Sequence, residues 1–392
     1  MIARPPASPE PPGLYLHFPF CAVRCTYCDF PTVAGQDALV EDYLDALVRE
    51  LSTCQSNLPS AIDTVFVGGG TPSRMSPREL GRLLQAVRGR FDLPPDGEIT
   101  VECNPESLDA GKLSGYRDCG VTRVSIGVQT LDDAVLSGVR RAHDAARALE
   151  AFELARNVGG FEINADLIVG LPGERLERWS ETVRAIAELQ IDHVSLYLLE
   201  SDKDTPLSRS IRAGRTDVAD GEALAEAYRE TVDILASAGF EQYEVSNFAR
   251  DGKVSRHNLK YWSDVWYGGF GLGAHGYGDG RRRSNRADLP GYLASLSEGN
   301  DPVAAEEPWD PARRLEETLW LGLRLLRGLD LEALGRRYEV DLHRRFETAW
   351  SRAEADGLIE RDGMTVRLTT RGRIHSNALF SELVGKGSVA DA

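Results

Sequence analysis

Three cysteines lie within eight residues near the N-terminus, in Gly13-Leu-Tyr-Leu-His-Phe-Pro-Phe-Cys21-Ala-Val-Arg-Cys25-Thr-Tyr-Cys28-Asp-Phe30, a C-x3-C-x2-C spacing. Thiols packed this closely make poor disulfide partners for one another, but their thiolates can converge on one soft metal centre. Three sulfurs fall one short of a closed four-ligand site. A [4Fe–4S] cluster held by three cysteines keeps one iron open to an exchangeable ligand, and an open iron is where chemistry happens. The alternative is a zinc site built from the cysteines and His17, although structural zinc is ordinarily held by paired hooks on two separate segments.

Further groups with chemical potential follow at intervals. Gly68-Gly69-Gly70-Thr71-Pro72 lets backbone approach a ligand, with exposed amides and carbonyls available for its polar ends. Read alone, the same glycines make an ordinary tight turn. Glu102 and Gln129 come at the ends of successive apolar runs and Asp166 within the next, a repeated placement that favours ligand contact over a purely structural role for each. Cys54, Cys103 and Cys119 lack metal spacing and read as small hydrophobic residues. His143 carries no assigned role and reads as a surface residue at a helix start.

Strand–helix units must position these groups. Leu14–Phe18, Thr64–Val67, Ile99–Cys103, Val121–Val128, Phe161–Val169 and Val194–Leu199 read as six strands, each followed by a helical pattern. The helices are expected near Asp37–Cys54, from Ser76-Pro77 with Glu79 at capping-box distance, and near Asp109–Asp118, Ala145–Arg156, Arg178–Leu189 and Gly221–Ala238. Six such units in order imply a parallel sheet with right-handed crossovers. The chemical residues all fall at strand C-terminal ends, where barrel-type α/β enzymes place their sites. A curved, incomplete (β/α) barrel is therefore predicted.

Four segments result: a disordered lead-in over 1–12, the barrel over 13–287, a linker over 288–311 with four prolines, and a C-terminal α+β domain over 312–392. In the last, helices precede a hairpin turning at Asp362-Gly363, a winged-helix-like order. The formal charge of −16, from 61 acidic against 45 basic residues, argues against nucleic-acid binding. Arg281-Arg282-Arg283 reads as a solvated loop. No apolar stretch reaches the roughly 18 residues needed to span a bilayer, and the five prolines of the lead-in are no signal peptide. A cytoplasmic setting is expected, where cluster thiolates stay reduced.

These residues resemble a known family. The cysteine loop is similar to that of the radical S-adenosylmethionine (SAM) superfamily, which implies a partial (β/α)6 barrel, a cluster on Cys21, Cys25 and Cys28, and SAM on the open iron. In that superfamily one electron splits a C–S bond of SAM to give a 5′-deoxyadenosyl radical. The resemblance sharpens to the anaerobic coproporphyrinogen III oxidase family through Tyr-x-His-x-Pro-Phe-Cys (Tyr15 to Cys21), Gly-Gly-Gly-Thr-Pro, Gly127-Val-Gln129, the Arg141 helix start and Asn164-Ala-Asp166-Leu-Ile-Val-Gly-Leu-Pro. It implies SAM contacts from Tyr15, Gly69 and Glu102, and a second SAM pocket lined by Tyr27, Gly70, Thr71, Gln129, Arg141 and Asp166.

Three departures point away from oxidase activity. Phe30 stands where the oxidase pattern has a fourth cysteine, the oxidase's long N-terminal extension is replaced by the proline-rich dozen, and Glu200 stands where a small residue belongs. His257-Asn-Leu-Lys-Tyr261-Trp262 instead matches the H-N-x-x-Y-W signature of a heme-chaperone branch. That likeness implies heme as ligand, His257 as its contact, and an acceptor hemoprotein, expected to be a respiratory enzyme. It leaves open a homodimer and peripheral membrane association through the acceptor. His275 is a second heme candidate.

Overall fold

A computed structural model describes residues 10–53, 59–278, 280–308 and 310–384. Cys54 and all of the lead-in before Glu10 lie outside the described residues. The remainder of the lead-in is tied down rather than free. Lys260 Nζ donates to the Pro11 carbonyl at 2.8 Å, and the Asp63 amide donates to that of Pro12.

The predicted units form. They are β1 (Gly13–Phe18), α1 (Val40–Thr53), β2 (Thr64–Gly69), α2 (Pro77–Arg90), β3 (Glu98–Cys103), α3 (Ala110–Asp118), β4 (Arg123–Gln129), α4 (Ala145–Val158), β5 (Glu162–Val169), α5 (Trp179–Ala187), β6 (His193–Leu198) and α6 (Gly221–Ser237). Neighbouring strands from β1 to β6 pair in parallel. The α2 start is a full capping box, with Ser76 and Glu79 each bonding the other's backbone amide. Alternation sets the faces: Leu14, Leu16 and Phe18 are buried outward against the helices, as are Val65, Val67, Ile99 and Val101. Inward-facing positions carry the polar and aromatic residues.

The sheet continues beyond the six expected strands. After β7 (Asn247–Ala249) and α7 (Arg256–Trp262), β8 (Tyr267–Phe270) pairs in parallel with β1. The antiparallel strands β9 (His275–Gly278), β10 (Arg281–Asn285) and β11 (Val303–Pro308) extend that edge, while β7 covers β6. Residues 288–311 are therefore no linker. They hold α8 (Leu289–Ser297) and the edge strand β11. Pro290 lies in the first turn of α8, where its missing N–H costs nothing, and Pro308 ends an edge strand. Likewise Arg281–Arg283 form a strand rather than a loop, ion-paired to Glu306 and Glu317.

The C-terminal unit begins with α9 (Pro311–Gly322) and α10 (Leu331–Tyr338). Two short helices, Leu342–Arg345 and Glu347–Ala355, lead to the hairpin β12 (Ile359–Asp362) and β13 (Thr365–Leu368). Its separate core includes Leu319, Trp350 and Val366. Among the described residues no helix is long and apolar enough to cross a membrane.

Candidate functional site at the strand C-terminal ends

The cysteine loop leaves β1 at Phe18 and is closed by backbone pairing. Phe20–Cys21 pairs with Val33–Ala34, and the Val33 amide donates to the Pro19 carbonyl. His17 Nε2 meets the Pro31 carbonyl at 3.0 Å while its Nδ1 meets Tyr15 OH at 2.9 Å. Burial holds this imidazole neutral, pushing its pKa down to about 4.

The three thiols are neighbours. Burial raises the Cys28 pKa to about 11, and the other two sulfurs add to the shift. Cys21 is raised by burial, with Thr71 Oγ1 donating to its sulfur at 3.5 Å and opposing the shift. Arg141 Nη1 stands 3.8 Å from Cys25 Sγ. Donors aimed at sulfur suit thiolate ligands of an iron–sulfur cluster. Among the described residues no three His, Cys, Asp or Glu side chains gather tightly enough to hold a metal ion. His17 is committed to Tyr15 and Pro31, so it does not complete a zinc site with the cysteines. The donor set fits a multi-iron group better than one small ion.

The glycine run packs against this loop. A Cβ on Gly70 would lie 2.5 Å from the Pro19 carbonyl oxygen and 3.0 Å from Cys21 Sγ. One on Gly69, which has φ +119°, would strike the His17 ring at 2.6 Å. The sequence-based reason for these glycines therefore needs correcting. Their amides are not free for a ligand: Gly69 N–H donates to Glu102 Oε2, Gly70 N–H to Phe18 O and Thr71 N–H to Phe20 O. The glycines let the loop lie close to β2.

Across the mouth, Glu102 faces inward from β3, and burial with the nearby Asp166 carboxyl pushes its pKa up to about 8. Asp166 accepts from Ser125 Oγ and Asn164 Nδ2, both at 2.8 Å, and burial raises its pKa. Gln129 ends β4 at φ +70°, beside a register shift between Gly127 and Gln129. Arg141 ties the parts together, donating to the Gly127 carbonyl at 2.5 Å and to Asn104 Oδ1 at 3.0 Å. Tyr27 packs with Val135, Val139 and Leu171, and burial holds its hydroxyl protonated. The structure thus brings the three cysteines, Tyr15, Tyr27, Gly69, Gly70, Thr71, Glu102, Gln129, Arg141 and Asp166 to one end of the barrel. Phe30 is 57% exposed on the cysteine loop, and Glu200 is exposed and paired with Lys203.

His257 is the exception, and the structure corrects its role. It opens α7 near Gly13 and Thr64, which begin β1 and β2, at the end opposite the cysteines. Its Nδ1 bonds Thr64 Oγ1 at 2.8 Å, its Nε2 bonds Tyr261 OH at 2.9 Å, and the residue is 0% exposed. Burial lowers its pKa to about 3, with Lys260 adding to the effect. No nitrogen is left for iron, so His257 serves as the barrel floor. His143, read as a surface residue, is also buried, with Nε2 on the Val128 carbonyl. Sequence reasoning gave no role of their own to Ser125, Asn164, Ser195 and His193: Asn164 bonds the other three and, with Ser125, holds Asp166; the i, i+2 pair Asn164–Asp166 was the available signal.

Comparison with known proteins bears on the family and the fold. A family model described as "Radical SAM superfamily" matches residues 15–186, and one described as "HemN C-terminal domain" matches residues 310–375. "Heme chaperone HemW" of Bacillus subtilis is 34% identical over 95% of this chain and 99% of its own length. A protein of the same name from Mycobacterium tuberculosis is 38% identical over 97% of this chain and 96% of its own. The coproporphyrinogen III oxidase HemN of Escherichia coli, a radical SAM enzyme, superposes with a TM-score of 0.84 at 22% identity, covering 98% of this chain and 92% of that one. That likeness is one of fold.

Proposed function

This chain belongs to the HemW family of radical SAM proteins, and on that premise we propose that it binds heme and delivers it to an acceptor hemoprotein. In this reading Cys21, Cys25 and Cys28 hold a [4Fe–4S] cluster. Tyr15, Gly69 and Glu102 border SAM on its open iron, and Tyr27, Gly70, Thr71, Gln129, Arg141 and Asp166 line the space beside it. Cluster and SAM, when bound, supply one-electron chemistry or a ligand-dependent state at this end of the barrel.

The residues prepare that end. Arg141 and Thr71 direct donors at sulfur, so they favour the thiolate forms that bind iron. Glu102 stays protonated to about pH 8 and therefore offers both a donor and an acceptor at neutral pH. The observation that carries the reading is the convergence of three thiols with these groups on one rim. Exposed Phe30, where the oxidase pattern has a further cysteine, supports the chaperone over the decarboxylase. The acceptor proposed is a respiratory hemoprotein, met from the cytoplasmic side.

Anaerobically reconstituted protein, titrated with hemin and mixed with an apo-hemoprotein, tests this. Stoichiometric uptake followed by transfer is expected, and absence of uptake would end the chaperone reading. Offered coproporphyrinogen III, SAM and reductant, the protein is expected to form no protoporphyrinogen. Product formation would favour the enzyme instead.

A further inference from the structure

Displacing His257 leaves open which side chain can reach a heme iron, and the seven histidines of the chain narrow the answer. His17, His143, His193 and His257 are buried, at 2%, 6%, 1% and 0% exposure. The ring nitrogens of His17, His193 and His257 are all hydrogen-bonded; His143 has Nε2 on the Val128 carbonyl and Nδ1 3.3 Å from Glu106. His343 and His375 belong to the C-terminal unit. His275, at the start of β9, is exposed, and no described residue bonds its ring nitrogens.

Its position follows from two glycines. β8 runs parallel to β1 with Gly269 opposite Tyr15, so both residues present the same, inward face. A Cβ on Gly269 would lie 1.9 Å from the His275 carbonyl oxygen. The backbone of His275 therefore crosses over the inner face of β8, an approach that a glycine alone permits. A Cβ on Gly273 would lie 2.8 Å from Pro31, three residues past Cys28, so the β8–β9 turn rests on the cysteine loop. The turn is fixed: Gly273 N–H donates to Arg286 O at 2.7 Å and Asn285 N–H to Ala274 O at 2.9 Å. On the next strands of the same face, Tyr15 stacks on Phe66 with ring centroids 6.1 Å apart. Both rings are half-buried, and Phe66 packs in turn on the His257 ring with centroids 5.3 Å apart, so aromatic side chains line this inner face down to the barrel floor.

We propose that His275, carried across Gly269 to the cysteine-bearing end of the barrel, is the axial ligand of bound heme. The inference rests on the heme reading above and names its site. A neutral imidazole nitrogen gives its lone pair to the iron in place of water, with no change of oxidation state.

Full-length protein is titrated with hemin and followed by visible absorption and electron paramagnetic resonance. Wild type is expected to show nitrogen ligation. His275→Gly is expected to bind at least tenfold more weakly and lose that signature, and free imidazole is expected to restore it. His257→Gln, checked for folding by circular dichroism, is expected to keep the wild-type spectrum. Unchanged spectra in His275→Gly, or a loss that imidazole does not restore, would overturn the assignment alone. Failure of wild type to bind hemin would overturn the heme reading with it.

Discussion

Glu102 Oε2 accepts the Gly69 amide at 2.9 Å, joining β3 to the glycine turn that cradles the cysteine loop. The bond pairs an inward carboxyl with a backbone amide at the end of β2. Because Glu102 is neutral below about pH 8, its amide isostere reproduces both its donor and its acceptor. Glu102→Gln is expected to cost under ~1 kcal/mol in urea unfolding, whereas Glu102→Ala, which removes the side-chain acceptor of the Gly69 N–H, costs about 1–3 kcal/mol. SAM affinity, read by calorimetry on reconstituted protein, is expected to fall in Ala and hold in Gln. Equal losses in both variants would contradict this account.

Gly70→Ala tests the close packing of the same turn. Its added methyl meets the Pro19 backbone at 2.5 Å, and backbone yields less readily than a side-chain tip. Overpacking of this kind costs roughly 1–3 kcal/mol. Because Cys21 Sγ lies on the same side, iron content after reconstitution is expected to drop well below wild type. Gly173→Ala, at φ +81° with nothing within 4 Å, strains backbone without touching the loop and should retain its iron.

Much of this was legible beforehand, for reasons that differ by residue. The outward rows of β1 to β5 are strict apolar alternations, and Ser76-Pro77 with Glu79 is a local capping signal, so these elements declare themselves. β8 and β9 do not: Tyr267-Gly-Gly-Phe270 and His275-Gly-Tyr-Gly278 carry too few apolar side chains for any period to emerge. Their glycines answer to close backbone crossings, which depend on partners distant in the chain. His257 misled for a related reason. A histidine amid aromatics looks the same whether it faces a ligand or fills a barrel floor, and burial alone separates the two.

Asp264 joins the two units of the protein. It accepts from Arg314 at 2.8 and 2.9 Å and from Tyr277 OH at 2.5 Å, and pairs with Arg337 at 2.8 Å. The Asp264 and Arg314 side chains are each 4% exposed. Removing one partner of a buried pair leaves uncompensated charge, at about 3–5 kcal/mol. Asp264→Ala is therefore expected to loosen α9 and α10 from the barrel, giving early proteolytic release of the C-terminal unit. A digestion pattern matching wild type would argue that the apolar contacts suffice.

Buried neutral histidines give a pH dependence with a definite sign. His257 has its pKa lowered to about 3 and His17 to about 4, both chiefly by burial, against roughly 6.5 in the unfolded chain. Between those limits the unfolded state binds protons that the folded state refuses, so each histidine contributes stability above pH ~6.5 that is lost on acidification. Burial acts oppositely on Glu50 and Glu102, raised to about 7 and about 8, whose folded forms hold protons from roughly pH 4.5 upward. The total slope is thus a partial cancellation, and the informative quantity is a difference. Urea unfolding of wild type and His257→Gln at pH 4.5, 5.5 and 6.5 is expected to show the variant losing about 1 kcal/mol less over the first unit of acidification and about 1.3 kcal/mol less over the second, approaching one proton's worth. Parallel profiles would mean that His257 already carries a proton in the folded barrel, in conflict with its complete burial beside Lys260.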